Sequence, residues 1–348
     1  MLHRMRWIVA LLAVIGLAAF AVVLVNDRLT RPFQGYDAAE QFVEIFPGEG
    51  PSLIARKLVS AGIVRDRWSF RIELARSGAA RRLQAGEYRF DRPMTAAQVI
   101  AMLEQGKVFV HSVTFPEGLT IREMARIFEA HGLGAAASFT AEARDGASLV
   151  HDIDPAARDL EGYLFPATYA LSRRAGAPQL VRMMVARFRE VFTPELEAAA
   201  RAQGLSPRQA VTVASLVEKE TARPEERPLV AGVYLRRLKV GMPLQCDPTV
   251  IYALAQRSQY DGNLTRANLQ VDSPYNTYRY PGLPPGPIAA PGRSSLEAAT
   301  HPESVDFLYF VSRNDGSHVF ARTLDEHSRN VRKYQVEYFQ GQRTGGRR

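Results

Sequence analysis

The sequence contains very little cysteine and none of the common motifs for a metal ion or a nucleotide. Its one cysteine, Cys246, excludes an intramolecular disulfide, so the fold must be held together by hydrophobic cores. The seven histidines show no His-Glu-x-x-His or Cys/His ligand spacing, and neither a Walker loop nor a dinucleotide fingerprint is present. We therefore expect neither a metal nor a cofactor.

Long hydrophobic runs are also scarce, which argues against a protein with several membrane spans. The single run, residues 7–25, carries no charge and is long enough to cross a membrane as a helix. Residues 22–26 offer no small-residue cleavage site, which favours a retained anchor over a cleaved signal peptide. We predict a cytoplasmic segment (1–6), a transmembrane anchor (7–25) in the cell inner membrane and an exported, periplasmic remainder.

Acidic residues are outnumbered by basic ones, and the formal net charge of +8 would suit an anionic partner. The arginines are scattered rather than interleaved with aromatic residues, and no nucleic-acid motif accompanies them. Nucleic acid is therefore not an expected partner. The hydrophobic fraction of 46% and the charged fraction of 23% indicate a globular protein and not a disordered one.

Two similar segments follow a polar stretch, residues 26–40, which we interpret as a tether. Residues 45–63 and 114–133 each predict a strand, a Pro/Gly turn, a short amphipathic helix and a glycine stop. Between them, residues 85–90 predict a strand, and Thr95 is expected to cap a helix. A strand-helix-helix-strand module of this size is typical of small wall-binding modules; a generic α+β spacer is the alternative.

From about residue 160 the pattern predicts a larger mixed α+β region. Ser206 and Gln209 have the spacing of a capping box, with Pro207 at the first helical position, so a helix begins there. This helix must end before Pro224. Further elements are predicted as helices over 178–192 and 229–238, a hairpin around 314–316, and a last helix capped by Thr323 with Glu326.

Two carboxylates near the end of the helix that starts after Ser206 face different directions. Glu218 and Glu220 are two residues apart, so they lie on nearly opposite sides and cannot act as a facing pair. Glu220 continues the apolar stripe that begins at Val213, and apolar surroundings raise the pKa of a carboxyl so that it stays a proton donor. A Glu220 neutralised by a buried arginine or lysine is the alternative. Glu218 is expected either to support the site from behind the substrate contacts or to lie at the surface, with Arg223 as its partner.

Several motifs are long and compositionally unusual: residues 214–221 (ASLVEKET), 244–252 (LQCDPTVIY), 275–278 (YNTY), 282–288 (GLPPGPI) and 160–166 (LEGYLFP). In these motifs, and in residues 309–311 with His318 and Phe320, the chain resembles the MltG (YceG-like) family of endolytic murein transglycosylases. The resemblance extends from the anchor to the last helix. Ala167 stands where the family usually has Asp, and Cys246 where a small polar residue is commoner, which affects the details of substrate contact.

The resemblance implies that Glu220, the second glutamate of the Glu-Lys-Glu-Thr motif, is catalytic. The expected enzyme is a lytic transglycosylase that cleaves the MurNAc-GlcNAc bond of peptidoglycan, leaves 1,6-anhydro ends and acts on nascent strands as a terminator of elongation. The domains expected are a LysM-like module (41–108), a second small α+β module or linker (109–158), an α+β catalytic domain (159–340) and a basic disordered tail (341–348).

Six further residues are expected to contact or support the substrate: Glu161, Glu218, Gln245, Asp247, Asn276 and Tyr278. For the loop residues among them, loop architecture is the alternative, and Asp247 before Pro248 has the position of a helix cap. His318 and His327 are expected to be hairpin and helix-cap residues.

Two rival functions remain open: a muramidase in which Glu220 works with Asp247 and water, and a non-catalytic glycan-binding scaffold for wall synthesis. The expected partners are glycan strands and peptidoglycan synthases, and the chain is expected to be a monomer.

Overall fold

The computed structural model describes residues 2–173 and 175–340, without the side chains of residues 2–6, 8–11, 13 and 18. The predicted tail lies outside the described residues, as do Met1 and the side chains of the predicted cytoplasmic segment. The chain forms two compact units. The first contains the described residues up to His111 and those of 170–174, and the second contains Ser112–Tyr169 and the described residues from Ala175 onward. Both combine helices with small sheets, which confirms the α+β class.

The first unit begins with a long helix, α1 (Leu2–Thr30). The predicted anchor falls in this helix, in a stretch several of whose side chains lie outside the described part of the structure. Over the residues and side chains that are described, no helix combines the length and the apolar content of a membrane span.

The end of α1 is packed into the first unit. Leu29 is buried, and the Nε of Arg28 donates to Asp66 at 3.2 Å. Beyond the helix, Phe33 and Met94 exchange backbone hydrogen bonds of 2.9 and 3.2 Å. The first part of the stretch interpreted as a tether is therefore held against the unit.

The rest of this unit is a strand-helix-helix-strand module followed by a helix: β1 (Gln41–Ile45), α2 (Pro51–Ser60), α3 (Arg67–Ser77), β2 (Gly86–Phe90) and α4 (Ala96–Glu104). The two strands are antiparallel, with Gln41 opposite Phe90 and Ile45 opposite Gly86. The helices close over one hydrophobic core, and Thr95 caps α4 through a capping box, as predicted.

The second unit contains most of the helices. Its elements, with the strands that link it to the first, are β3 (His111–Thr114), α5 (Ile121–Ala130), α6 (Ala136–Asp145), β4 (Thr168–Leu171), α7 (Ala177–Val191), α8 (Pro194–Ala202), α9 (Pro207–Glu220), α10 (Arg227–Lys239), α11 (Asp247–Gln256), α12 (Arg293–Thr300), β5 (Tyr309–Ser312), β6 (His318–Ala321) and α13 (Leu324–Val331). β3 pairs with β4, and β5 forms the predicted antiparallel hairpin with β6. Asn314 and Gly316 have positive φ in the turn of this hairpin, a conformation that asparagine and glycine accept best.

Helix α9 lies in the centre of the second unit. It begins as predicted, because the Ser206 hydroxyl accepts from the Gln209 N–H while the Gln209 side chain accepts from the Ser206 N–H. All residues from Ala210 to Val217 are buried, since α8, α10, α11 and α12 pack around the helix. Between its first and last turns α9 therefore has no solvent-facing side.

Asp154 forms an ion pair with Arg208 in the first turn of α9. Its side chain is 2% exposed and accepts hydrogen bonds from the Tyr163 hydroxyl, at 2.8 Å, and from the Arg208 guanidinium. We expect Asp154→Ala to lower the free energy of unfolding by about 3–5 kcal/mol, because it leaves a part-buried cation without a partner.

The matched control for this change is Asp152→Ala. Asp152 also pairs with an arginine, Arg189, but its side chain is 63% exposed, so its loss should cost less than about 1 kcal/mol. Urea unfolding followed by far-UV circular dichroism measures both values. Equal losses in the two variants would contradict the importance of the buried pair.

Candidate active site

Glu220 lies in the wall of a cavity of about 320 Å³ in the second unit. The wall is built from the last turn of α9, from α10 and α13, from the hairpin and from the segment that leads into α11. The residues that line it are Glu220, Tyr234, Arg237, Leu244, Gln245, Asp247, Tyr278, Tyr309, Phe310, Leu324 and His327.

The carboxyl of Glu220 is half-buried and has two side-chain donors. The Tyr234 hydroxyl donates to its Oε2 at 2.9 Å, and the Cys246 thiol lies at 3.6 Å. Burial raises the pKa of Glu220, and the negative charge of Asp247 adds to this effect, whereas the Tyr234 hydrogen bond and the nearby His318 imidazole oppose it.

A raised pKa favours the protonated carboxyl, which is the form that a proton donor requires. Of the described lysines and arginines, none lies within ion-pair distance of Glu220, so no buried cation neutralises it. The alternative considered from the sequence is thus not realised.

Asp247 and Tyr278 stand together beside Glu220. The Tyr278 hydroxyl donates to Asp247 Oδ1 at 2.5 Å, and Asp247 is exposed toward the cavity. Cys246 and not Asp247 is the N-cap residue of α11, so the Asp247 carboxylate remains available for contacts in the cavity.

Gln245 completes this part of the wall in a strained conformation. Its φ of 49° lies in the left-handed region, which costs free energy for a residue other than glycine. A hydrogen bond from its N–H to the Thr277 carbonyl, at 3.2 Å, holds it there. The structure therefore brings Glu220, Gln245, Asp247 and Tyr278 together, four of the seven residues singled out from the sequence.

Glu218 lies away from the cavity. Its side chain is 5% exposed, pairs with Arg227 at 3.0 Å and accepts from the Gly292 N–H at 2.9 Å. Of the two positions expected for Glu218, the surface is wrong, and so is the expected partner Arg223, because α9 is covered on the side where the helical wheel predicted solvent. Support of the site from behind by Glu218 stays a prediction. Arg223 instead donates to the Asp315 carbonyl.

Asn276 is fully buried and serves the loop that carries Tyr278. Its side-chain NH₂ donates to the carbonyls of Leu269 and Val271, and its oxygen accepts from the Tyr278 N–H at 3.0 Å. It does not line the cavity, and these contacts fix the position of Tyr278.

Glu161 lines a different cavity, of about 500 Å³. Its carboxyl accepts from the Ile121 N–H at 3.1 Å and from the Tyr252 hydroxyl at 3.2 Å. Burial raises the pKa of Glu161 to about 8, and Asp159 contributes in the same direction.

The cavity at Glu220 is also lined by two residues that no local sequence pattern had indicated as site residues, Arg237 and His327. Arg237 is buried and donates to the carbonyls of Leu244 and Leu308, at 2.7 and 2.6 Å, so it joins the segment before α11 to the hairpin. His327 stacks on Tyr309 with 5.1 Å between ring centroids. Burial and the charge of Arg237 lower the pKa of His327, which keeps it neutral.

The predictions for the two histidines have different outcomes. His318 lies in the hairpin as predicted, where its Nδ1 is 2.7 Å from Glu226. His327 was expected to be a helix-cap residue, but Thr323 caps α13 and His327 faces the cavity one turn later. Leu324 and His327 are three residues apart and lie on one helix face, but this spacing alone does not mark a site residue.

Known proteins resemble this chain along most of its length. The sequence model of the YceG-like family matches residues 43–333. An endolytic murein transglycosylase of Bacillus subtilis (strain 168) is 30% identical over 330 residues, which cover 89% of each chain. A protein of the same description from Streptococcus pneumoniae serotype 2 (strain D39) is 30% identical over 283 residues, 72% of this chain and 51% of its own length.

A solved structure agrees with these sequence matches. A putative yceG-like protein from Listeria monocytogenes is 32% identical and superposes with a TM-score of 0.57. The match covers 84% of this chain and 98% of that one.

We expect Tyr234→Phe to raise the pKa of Glu220, because the lost hydroxyl stabilises the ionised carboxylate. Carboxyl NMR with isotope-labelled glutamate measures this pKa directly. Tyr252→Phe is the matched control: it removes the same kind of donor from Glu161, so it should raise the pKa of Glu161 and leave that of Glu220 unchanged. A fall in the pKa of Glu220 in Tyr234→Phe would show that the hydrogen bond acts in the opposite sense.

Glu161 should make stability depend on pH. Its folded-state pKa of about 8 lies above the ordinary value of 4.5, so its contribution is fully present below 4.5 and is lost as the pH rises through 8. We expect Glu161→Gln, which keeps one of the two acceptor oxygens and cannot ionise, to be more stable than the parent above pH 8 and to show a smaller change of stability with pH. Urea unfolding midpoints measured from below pH 4.5 to above pH 8 test this expectation. The control is Glu225→Gln, a substitution at an exposed glutamate. An unchanged slope in Glu161→Gln would refute the assignment.

Proposed function

The chain belongs to the YceG-like family, and from this premise we propose that it is an endolytic murein transglycosylase with Glu220 as its acid. It cuts the bond between N-acetylmuramic acid and N-acetylglucosamine inside glycan strands and leaves 1,6-anhydro ends. The observation that carries the assignment of Glu220 is a carboxyl with a raised pKa, unpaired with any described cation, in a cavity walled by polar and aromatic side chains.

Glu220 acts twice in the proposed reaction. As an acid it donates its proton to the glycosidic oxygen while the bond from that oxygen to the muramoyl C1 breaks, which leaves an oxocarbenium-like centre. As a carboxylate it then takes the proton of the muramoyl 6-hydroxyl, whose oxygen bonds to C1. Tyr234 stabilises the carboxylate between the two steps, because its hydroxyl donates to Oε2. No water is consumed, so a second carboxylate is not required.

The residues opposite Glu220 are proposed to orient the sugars. The Asp247 and Tyr278 pair offers a carboxylate oxygen and a phenol oxygen to sugar hydroxyls, and Gln245 offers an amide to an N-acetyl group. Glu218 and Asn276 support this wall from behind, through the end of α9 and the loop before Tyr278. The contact of Glu161 with the substrate, predicted from its motif, would take place at the second cavity.

A water-using muramidase is the second candidate, and the place of Asp247 favours it. Asp247 lies in the same cavity as Glu220, so a second carboxylate is available to activate a water. The products separate the two reactions, because hydrolysis leaves reducing ends whereas the transglycosylase leaves anhydro ends.

We also propose the cellular setting. Residues 7–25 anchor the chain in the cell inner membrane with the rest in the periplasm, and the described large apolar side chains of α1 from Leu12 to Leu24 are each more than half exposed, as a lipid-facing helix requires. The strand-helix-helix-strand module of the first unit is proposed to be LysM-like and wall-binding. The monomeric enzyme would act beside peptidoglycan synthases and terminate nascent strands.

Glu220→Gln is the decisive variant, because it keeps the shape of the side chain and removes the proton. We expect the release of anhydro-muropeptides from purified glycan to fall by at least about 10²–10⁴-fold. Glu225→Gln, five residues along the chain and 68% exposed on its side chain, makes the same chemical change away from the cavity and should retain full activity.

Mass spectrometry of the products reads out all three functions. Anhydro ends that depend on Glu220 support the transglycosylase, and reducing ends would establish the muramidase. Unchanged cleavage by Glu220→Gln would exclude Glu220 as the acid. If the parent chain binds glycan but does not cleave it, the result would support the non-catalytic scaffold.

A further inference from the structure

One tryptophan of the first unit, Trp68, has an unusually exposed side chain. Trp68 on α3 is 54% exposed, although a side chain of this size is normally at least half-buried in a globular unit. Arg67 and Arg71 are exposed on the same side of α3, because residues 67, 68 and 71 lie within about 100° of one another around a helix. This side of α3 therefore presents an exposed indole together with two exposed arginines.

This surface lies beside the end of α1. Asp66 is the N-cap of α3, accepts from the Ser69 N–H at 2.8 Å and also accepts from Arg28 of α1 at 3.2 Å. Arg28 follows the last residue of the apolar run, Val25, by only about 4.5 Å along the helix axis. The N-terminal turn of α3 is therefore held at the level where the apolar run ends.

The arginines of this surface are free to bind anions. Within the described part of the chain, no carboxylate lies at ion-pair distance from Arg67 or Arg71. Arg65 lies over the Phe33 ring at 5.1 Å, and its side chain is exposed. Three exposed arginines therefore lie within three positions of Trp68 along the chain, while Asp66 is already bonded to Arg28 and Ser69.

We propose that Arg65, Arg67, Trp68 and Arg71 form a docking surface for the anionic phospholipid headgroups of the membrane that α1 enters. The inference rests on the anchor included in the proposed function. Tryptophan prefers the boundary between headgroups and acyl chains, because its ring is apolar and its N–H is a donor. Guanidinium groups bind phosphate through paired hydrogen bonds, and basic residues near an anionic surface gain free energy from its potential.

The two tryptophans of the chain make the test direct. Trp7→Phe leaves Trp68 as the only tryptophan, and Trp68→Phe leaves only Trp7. The full chain is placed in nanodiscs of phosphatidylcholine alone or with phosphatidylglycerol, each containing a headgroup nitroxide lipid as quencher. We expect Trp68 to be quenched by the nitroxide and protected from acrylamide in the discs with phosphatidylglycerol, and much less so in the neutral discs.

Charge variants identify the surface. Arg67→Gln and Arg71→Gln should each lower the ratio of docked to undocked Trp68 about fivefold in the anionic discs. Arg76→Gln is the matched control, since Arg76 lies about 180° from Arg67 around α3 and is paired with Glu73. Equal effects of all three variants would attribute the binding to net charge and would overturn the proposed surface.

The experiment tests the membrane anchor and the docking surface separately. Trp7 is observed in the Trp68→Phe chain, and Trp68 is observed in the Trp7→Phe chain. If Trp7 lies in the lipid but Trp68 stays accessible to acrylamide in the anionic discs, this docking surface is wrong and the anchor stands. If Trp7 is not in the lipid, both the anchor and the docking surface are wrong. Release of anhydro ends by the same discs reports the glycan chemistry independently of either result.

Discussion

The burial of α9 on every side is the constraint on which the second unit depends. A carboxylate in such surroundings must either find a cation or remain protonated, because its charged form loses hydration. The last turn of α9 uses both solutions: Glu218 pairs with Arg227, which is itself 8% exposed, whereas Glu220 keeps a raised pKa beside neutral donors. Residues 218 and 220 are about 200° apart around the helix, so their side chains point to nearly opposite sides. The same end of α9 therefore carries a structural ion pair on one side and a proton donor on the other.

The ion pair of Glu218 also explains why the second copy of the sequence repeat belongs to the second unit. Arg227 reaches Glu117 in the turn of that copy, and Lys219 donates to the Gly118 carbonyl at 3.0 Å. The Gly118 N–H in turn donates to Ala290 at 2.8 Å. A side chain at Gly292 would overlap with the end of the Glu117 side chain, which shows how closely these segments approach each other. The turn therefore locks the end of α9 in place.

The features that the sequence predicted correctly are those that depend on near neighbours. The starts of α9 and α13 follow from capping boxes, in which Ser206 and Thr323 bond residues three positions away. The wall of the cavity joins residues from α9 to α13, more than 100 positions apart, so Arg237 and His327 had no local pattern that marked them as site residues. The partner of Glu218 was missed for a related reason, since a wheel of one helix does not show which sides its neighbours cover.

The position of Cys246 has a consequence for the chemistry of sulfur in this enzyme. The thiol is buried behind Glu220, and burial together with the adjacent carboxyl raises its pKa, so very little thiolate forms. Disulfide exchange and peroxide oxidation both begin from the thiolate and need access to it. An accessible lone cysteine ordinarily risks cross-linking to other proteins, but this one is shielded by burial, which also raises the pKa of the neighbouring Glu220.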